Sequence, residues 1–163
     1  MMITEDYILR IIRLAAEFIA KALKLSKEGD FLTSEKTLEN GLQDLTGISV
    51  DTLRQLDMPA LKAIAGGDEA SIFILAEFLG ALAEIERQKG MLDLYYIYLK
   101  KSLSLYLAIT RTDDYETEKP ILNIYPVVKG VLYDNALINE LLDFFEIIGN
   151  GEETSYLEDL LSY

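Results

Sequence analysis

The sequence predicts an all-α protein, one domain over residues 1–163 with seven to nine helices in a stack of helical hairpins. Three observations carry this reading. Half of the residues are hydrophobic, and nearly all of them fall at helical spacings of three and four. Glycine, proline and short polar residues punctuate these segments at helix-length intervals. No stretch alternates apolar and polar residues for more than a few positions, so no sheet is expected. A chain of 163 residues buries about 70% of its unfolded surface and needs no disulfide or metal to fold.

Thr4 is placed to cap a first helix over residues 4–27, with Glu5 and Asp6 at its positive end. Arg10, Arg13, Glu17, Lys21 and Lys24 recur every three or four positions as one narrow polar stripe. The remaining positions from Ile8 to Leu25 are apolar, which predicts cover on most of the circumference. The helix is then central to the core or part of an interface between copies. A charge inserted at Leu14 or Phe18 is expected to unfold the domain or break an oligomer. Gly29-Asp30 ends this helix, and Thr33 or Ser34 opens the next, with Leu38, Leu42 and Leu45 on one face. Gly47 stops it. Ser49 opens a short helix to Leu56, and Pro59 sits in the first turn of another that ends at Gly66-Gly67.

Asp68 reads as the N-cap of a long helix over residues 69–89. Gly90 separates it from a second long helix over residues 91–110, predicting an antiparallel hairpin at the centre of the molecule. Thr112-Asp113-Asp114 reads as a loop. A helix then runs from residues 116–120 to Leu132, kinked or split at Pro126. Asn135 caps a helix to Ile148, Gly149-Asn150-Gly151 turns, and a terminal helix covers residues 152–161.

Composition narrows the chemistry. Histidine, cysteine and tryptophan are absent, which removes the commonest catalytic base, the thiol nucleophile and the commonest metal ligands. The net charge is −13, with 28 acids against 15 bases, which argues against nucleic acid. Residues 1–27 nevertheless carry Arg10, Arg13, Lys21, Lys24 and Lys27 against Glu5, Asp6 and Glu17, a net of +2, leaving −15 on the rest. The first apolar stretch is broken by charges and lacks a cleavage site, so no signal peptide is read. The most apolar window, residues 70–83, contains Glu77 and is short of the ~20 residues a bilayer span needs. A cytoplasmic location is expected.

The central hairpin carries a family likeness. Leu79-Gly80 in its first helix, Gly90 at its turn and the run Tyr98-Leu99-Lys100-Lys101-Ser102-Leu103-Ser104-Leu105 in its second resemble a degenerate tetratricopeptide repeat. Tyr95 stands where that repeat places a small residue. The opening Met2-Ile3-Thr4-Glu5-Asp6-Tyr7-Ile8-Leu9-Arg10-Ile11-Ile12 resembles an uncharacterised bacterial family of all-helical proteins with no assigned activity. The repeat likeness implies a concave groove lined by the first hairpin helix. Ile74, Glu77, Ala81, Glu84 and Gln88 share one face of that helix. A groove of this kind is acidic and suits a basic or amphipathic peptide. The bland alternative has Glu77 and Glu84 solvated, or paired with Arg10 or Arg13.

The leading expectation is a non-catalytic interaction or scaffold module that holds a protein partner, self-associates and needs no cofactor. Two rivals have some footing. Glu140 and Asp143 lie three apart on one helical face, half of the carboxylate pattern of all-helical magnesium hydrolases. The basic stripe of residues 4–27 also suits a membrane surface. Weaker features read as ordinary helix chemistry. The acids Asp113, Asp114, Glu116 and Glu118 favour a helix start, Lys100, Lys101, Ser102 and Ser104 form no nucleophilic elbow, and Gly66-Gly67-Asp68 is a capping turn rather than a phosphate cradle. The ten tyrosines are expected to line the core with hydroxyls at its rim, a partner groove being the alternative.

Overall fold

Apolar residues that recur at helical spacing form helices, and the computed structural model places nine of them among the residues it describes: 5–66, 68–110 and 116–162. They are α1 (Glu5–Lys27), α2 (Phe31–Thr46), α3 (Val50–Gln55), α4 (Met58–Ile64), α5 (Glu69–Gln88), α6 (Leu92–Ala108), α7 (Glu118–Val128), α8 (Asn135–Ile148) and α9 (Gly151–Leu161), with a 3₁₀ turn at Lys129–Val131 after α7. No strand occurs among the described residues. The expected cap Thr4, Gly67 and the loop Thr112-Asp113-Asp114 lie outside them.

Local chemistry sets most boundaries where the sequence places them. Gly47 and Gly149 close α2 and α8 in the left-handed conformation, at φ +72° and +76°, which costs glycine least. Asp68 caps α5 by accepting the Ala70 N–H at 3.1 Å. Two starts differ from expectation. Asp30, not Thr33 or Ser34, caps α2, its carboxylate accepting the Thr33 N–H at 3.1 Å. Ser34 is instead buried and donates to the Ala22 carbonyl of α1 at 2.6 Å, joining the two helices. Asp134, not Asn135, caps α8 by accepting the Ala136 N–H at 2.9 Å. Pro126 does not split α7. It lies on the exposed side, and the helix continues to Val128 before tightening into the 3₁₀ turn.

The hairpin of α5 and α6 is the middle of the molecule. Twelve α5 residues are buried, among them Phe78, Leu79 and Leu82 at 0% exposure. The two helices run antiparallel, with the Ser102 hydroxyl donating to the Ala76 carbonyl at 2.7 Å. A Cβ at Gly80 would meet only Ser102 Oγ, at 3.8 Å, so the repeat-like glycine is not what sets the helix separation there. Helices α1 and α2 form a second antiparallel pair packed on α5. On the other side α6 carries α7 and α8, and α9 packs on α8. The buried apolar residues form one continuous core from Ala15 to Leu157.

The first helix departs from the expectation of near-complete cover. Among its described residues only Ala15, Ala22 and Ser26 are buried, while Tyr7, Leu9 and Leu14 are 45%, 52% and 38% exposed. Wheel geometry puts Arg10, Arg13, Glu17, Lys21 and Lys24 on the outward half, with Leu9 and Leu14 on its two flanks. Ile11, Ile12, Phe18, Ile19 and Leu23 face α2 and α5. Leu14 and Phe18 are therefore unlike. Leu14→Glu should leave the helical circular dichroism and melting temperature near wild type. Phe18→Glu should unfold the first hairpin, because it drives a carboxylate into the seam with α2. Thermal melts of the two variants check this.

Candidate functional site

The five residues of the expected groove share one side of α5, but that side is not an open groove. Ile74 and Ala81 are buried, at 1% and 3% exposure, on a helix against which α1, α2 and α6 all pack. The other three are half-buried and already engaged. The Ser26 hydroxyl of α1 donates to the Gln88 side-chain carbonyl, tying α1 to the end of α5. Arg87 donates to both Glu84 oxygens at 2.6 and 2.8 Å, and the Gln88 amide adds a third bond at 3.2 Å. Those bonds, the Arg87 pairing foremost, hold the Glu84 carboxyl below the ordinary range. Neither Glu77 nor Glu84 pairs with Arg10 or Arg13.

Glu77 is the least ordinary of the five. Its carboxylate accepts the Tyr106 hydroxyl across the hairpin, and the Tyr106 ring packs edge-on against Phe73 at 5.9 Å. Burial raises the Glu77 carboxyl above its ordinary value, and the Tyr106 bond only partly offsets this. Burial also pushes the Tyr106 hydroxyl upward, so the phenol stays protonated and keeps donating. The phenol is therefore no base near neutral pH.

A testable consequence follows from the sign of the shift. Below pH 4.5, the ordinary value for this carboxyl, Glu77 is protonated in folded and unfolded chains alike. Above it the unfolded chain releases the proton first, so this residue withdraws stability until the folded carboxyl ionises as well. Glu77→Gln keeps an oxygen for Tyr106 and removes the titration. Its urea midpoint relative to wild type should therefore be higher at pH 7 than at pH 4. An unchanged difference would remove the titration argument.

Glu140 and Asp143 do line one cleft, with Lys62, Leu107, Ala108, Thr110, Phe144 and Ile147, and its volume is about 220 Å³. Glu140 is held there by the Lys62 ammonium at 3.3 Å and lies 3.5 Å from the Ser104 hydroxyl. A cation at Glu140 would have to displace Lys62. No group of three acids placed to hold a metal occurs among the described residues.

The tyrosines divide by position. Tyr98, Tyr106 and Tyr125 are buried. The Tyr125 hydroxyl donates to Glu153, which also pairs with Lys129 at 3.0 Å. Burial raises the Glu153 carboxyl, and these two partners more than offset it, leaving it low. Tyr95 is half-buried, Tyr133 is 79% exposed, and Tyr115 lies outside the described residues.

The surface that sequence reasoning misplaced is the outward half of α1. The stripe was legible, but periodicity does not say which side the rest of the chain covers. No helix among the described residues is long and apolar enough to cross a membrane. No protein-family model, curated protein or solved structure matches the chain.

Proposed function

We propose that this protein is a non-catalytic interaction module, a helical-hairpin stack akin to tetratricopeptide repeats, that binds a protein partner through the outward face of α1. One observation carries the reading: exposed Leu9 and Leu14 flank a stripe of Arg10, Arg13, Lys21 and Lys24. The two leucines border the basic stripe on either side, so apolar margins and a charged strip share one outward face that a partner can cover. The ion pairs among the described residues use Arg54, Lys62, Arg87, Lys89 and Lys129 and no base of the stripe, of which Arg10 lies over the Tyr7 ring at 5.6 Å. That partner presents apolar side chains beside carboxylates.

Capture from the lysate of its own cell tests this with three baits. Wild type and Glu77→Gln/Glu84→Gln are expected to retain the same specific partner, and Arg10→Glu/Arg13→Glu to lose it. A partner retained equally by the α1 variant, or no specific partner, would overturn the assignment.

A further inference from the structure

The outward face of α1 has a complement on the same molecule, at the opposite end of the hairpin series. Contacts run from α1 and α2 to α5 and α6, then to α7, α8 and α9. Beyond Lys129 the chain has no lysine or arginine and eight acids: Asp134, Glu140, Asp143, Glu146, Glu152, Glu153, Glu158 and Asp159. On α8 the outward arc holds Asn139, Asp143 and Glu146 at spacings of four and three, so they share a face. Ile147 beside them is 71% exposed and Ile148 38%. The cleft under that arc has Leu107, Ala108 and Phe144 for walls, and its one base, Lys62, is paired with Glu140. One end thus presents bases bordered by exposed leucines, and the other presents acids beside exposed isoleucine.

Self-pairing of α1 does not satisfy its stripe. An antiparallel pairing centred on Glu17 sets Arg13 opposite Lys21 and Arg10 opposite Lys24, four like-charge encounters per dimer. A head-to-tail contact removes that repulsion. We infer that the occupant of the α1 face is the α8 edge of a second copy of this chain. Leu9 and Leu14 pack toward Ile147 and the cleft, and Arg10 and Arg13 face Asp143 and Glu146. This contact is heterologous: each copy uses one surface as donor and a different one as acceptor, so copies join into rings or open chains. The inference rests on the interaction-module reading above and names its partner.

Sedimentation of the purified full chain tests it, with variants that reverse charge on exposed surface and leave the core alone. The wild-type weight-average mass should rise above that of the monomer with concentration and fall back on adding salt, which screens the rim pairs. Arg10→Glu/Arg13→Glu and Asp143→Lys/Glu146→Lys should each weaken association about tenfold or more. Mixing the two should restore association, because the first keeps its α8 edge, the second keeps its α1 face, and the two reversed surfaces are themselves opposite in charge. A wild type that stays monomeric, association indifferent to both variants, or a mixture that does not re-form would each overturn the inference. Sedimentation of a monomeric protein with anionic vesicles, lost in Arg10→Glu/Arg13→Glu, would overturn it in favour of a lipid surface. A monomeric wild type that still captures another protein through α1 would sink self-assembly and leave the interaction module standing.

Discussion

Phe78→Ala is expected to lower stability by about 3–5 kcal/mol, the range for truncating a buried aromatic. Phe78 is at 0% exposure in the middle of α5, the helix on which α1, α2 and α6 all pack. The lost ring leaves a void whose walls belong to helices held from several sides, so collapse into it is limited. Domains of this kind have about 5–15 kcal/mol in total, so the variant should melt roughly 6–20 °C lower if each kcal/mol moves the midpoint by about 2–4 °C. Differential scanning calorimetry reads this directly. A shift of only a degree or two would mean that α5 is not the centre of the core.

Gly41→Ala is the second large effect, and the sign is decided by two opposing terms. In an exposed helix interior this substitution stabilises by about 1 kcal/mol. Here a Cβ would stand 2.5 Å from Phe18 Cγ and 2.9 Å from Phe18 Cβ. The second distance matters most, because a Cβ moves only with its backbone. The α1 and α2 axes must separate, and overpacking of this kind costs about 1–3 kcal/mol or more. We expect a net loss in the urea midpoint, and recovery of part of it in Gly41→Ala/Phe18→Ala, where the added methyl occupies space the ring vacated. Additive losses in the double variant would contradict the contact.

The contrast between Phe18 and Leu14 shows how far the sequence could be read. Both are apolar on a helix with a narrow polar stripe, and periodicity treats them alike. Only the tertiary environment separates them: α2 meets Phe18 through Gly41, and Leu14 stays 38% exposed. The α5–α6 hairpin was legible because Asp68 and Gly90 mark its ends and apolar residues surround both helices. The start of α2 was not, because Asp30, Thr33 and Ser34 are all good caps and the choice turned on Ser34 reaching Ala22 in another helix. The α5 stripe shares a face as its spacing requires, yet Ser26, 62 positions before Gln88, is among the residues that close it. The Glu77–Tyr106 pair had a signal in principle, since the two residues lie at similar distances from the Gly90 turn and an antiparallel hairpin brings such positions together. The pairing of Lys62 with Glu140, 78 positions apart, had none.

The absence of cysteine makes the central claim, binding through the outward face of α1, directly measurable. Single cysteines at Leu14→Cys and Glu84→Cys provide unique labelling sites, and their rates with a charged maleimide can be compared in dilute purified protein and in concentrated extract of the cells that make it. The account predicts that labelling at position 14 slows severalfold in the extract while position 84 keeps its dilute rate. An unchanged rate at 14, or protection at 84 instead, would contradict it.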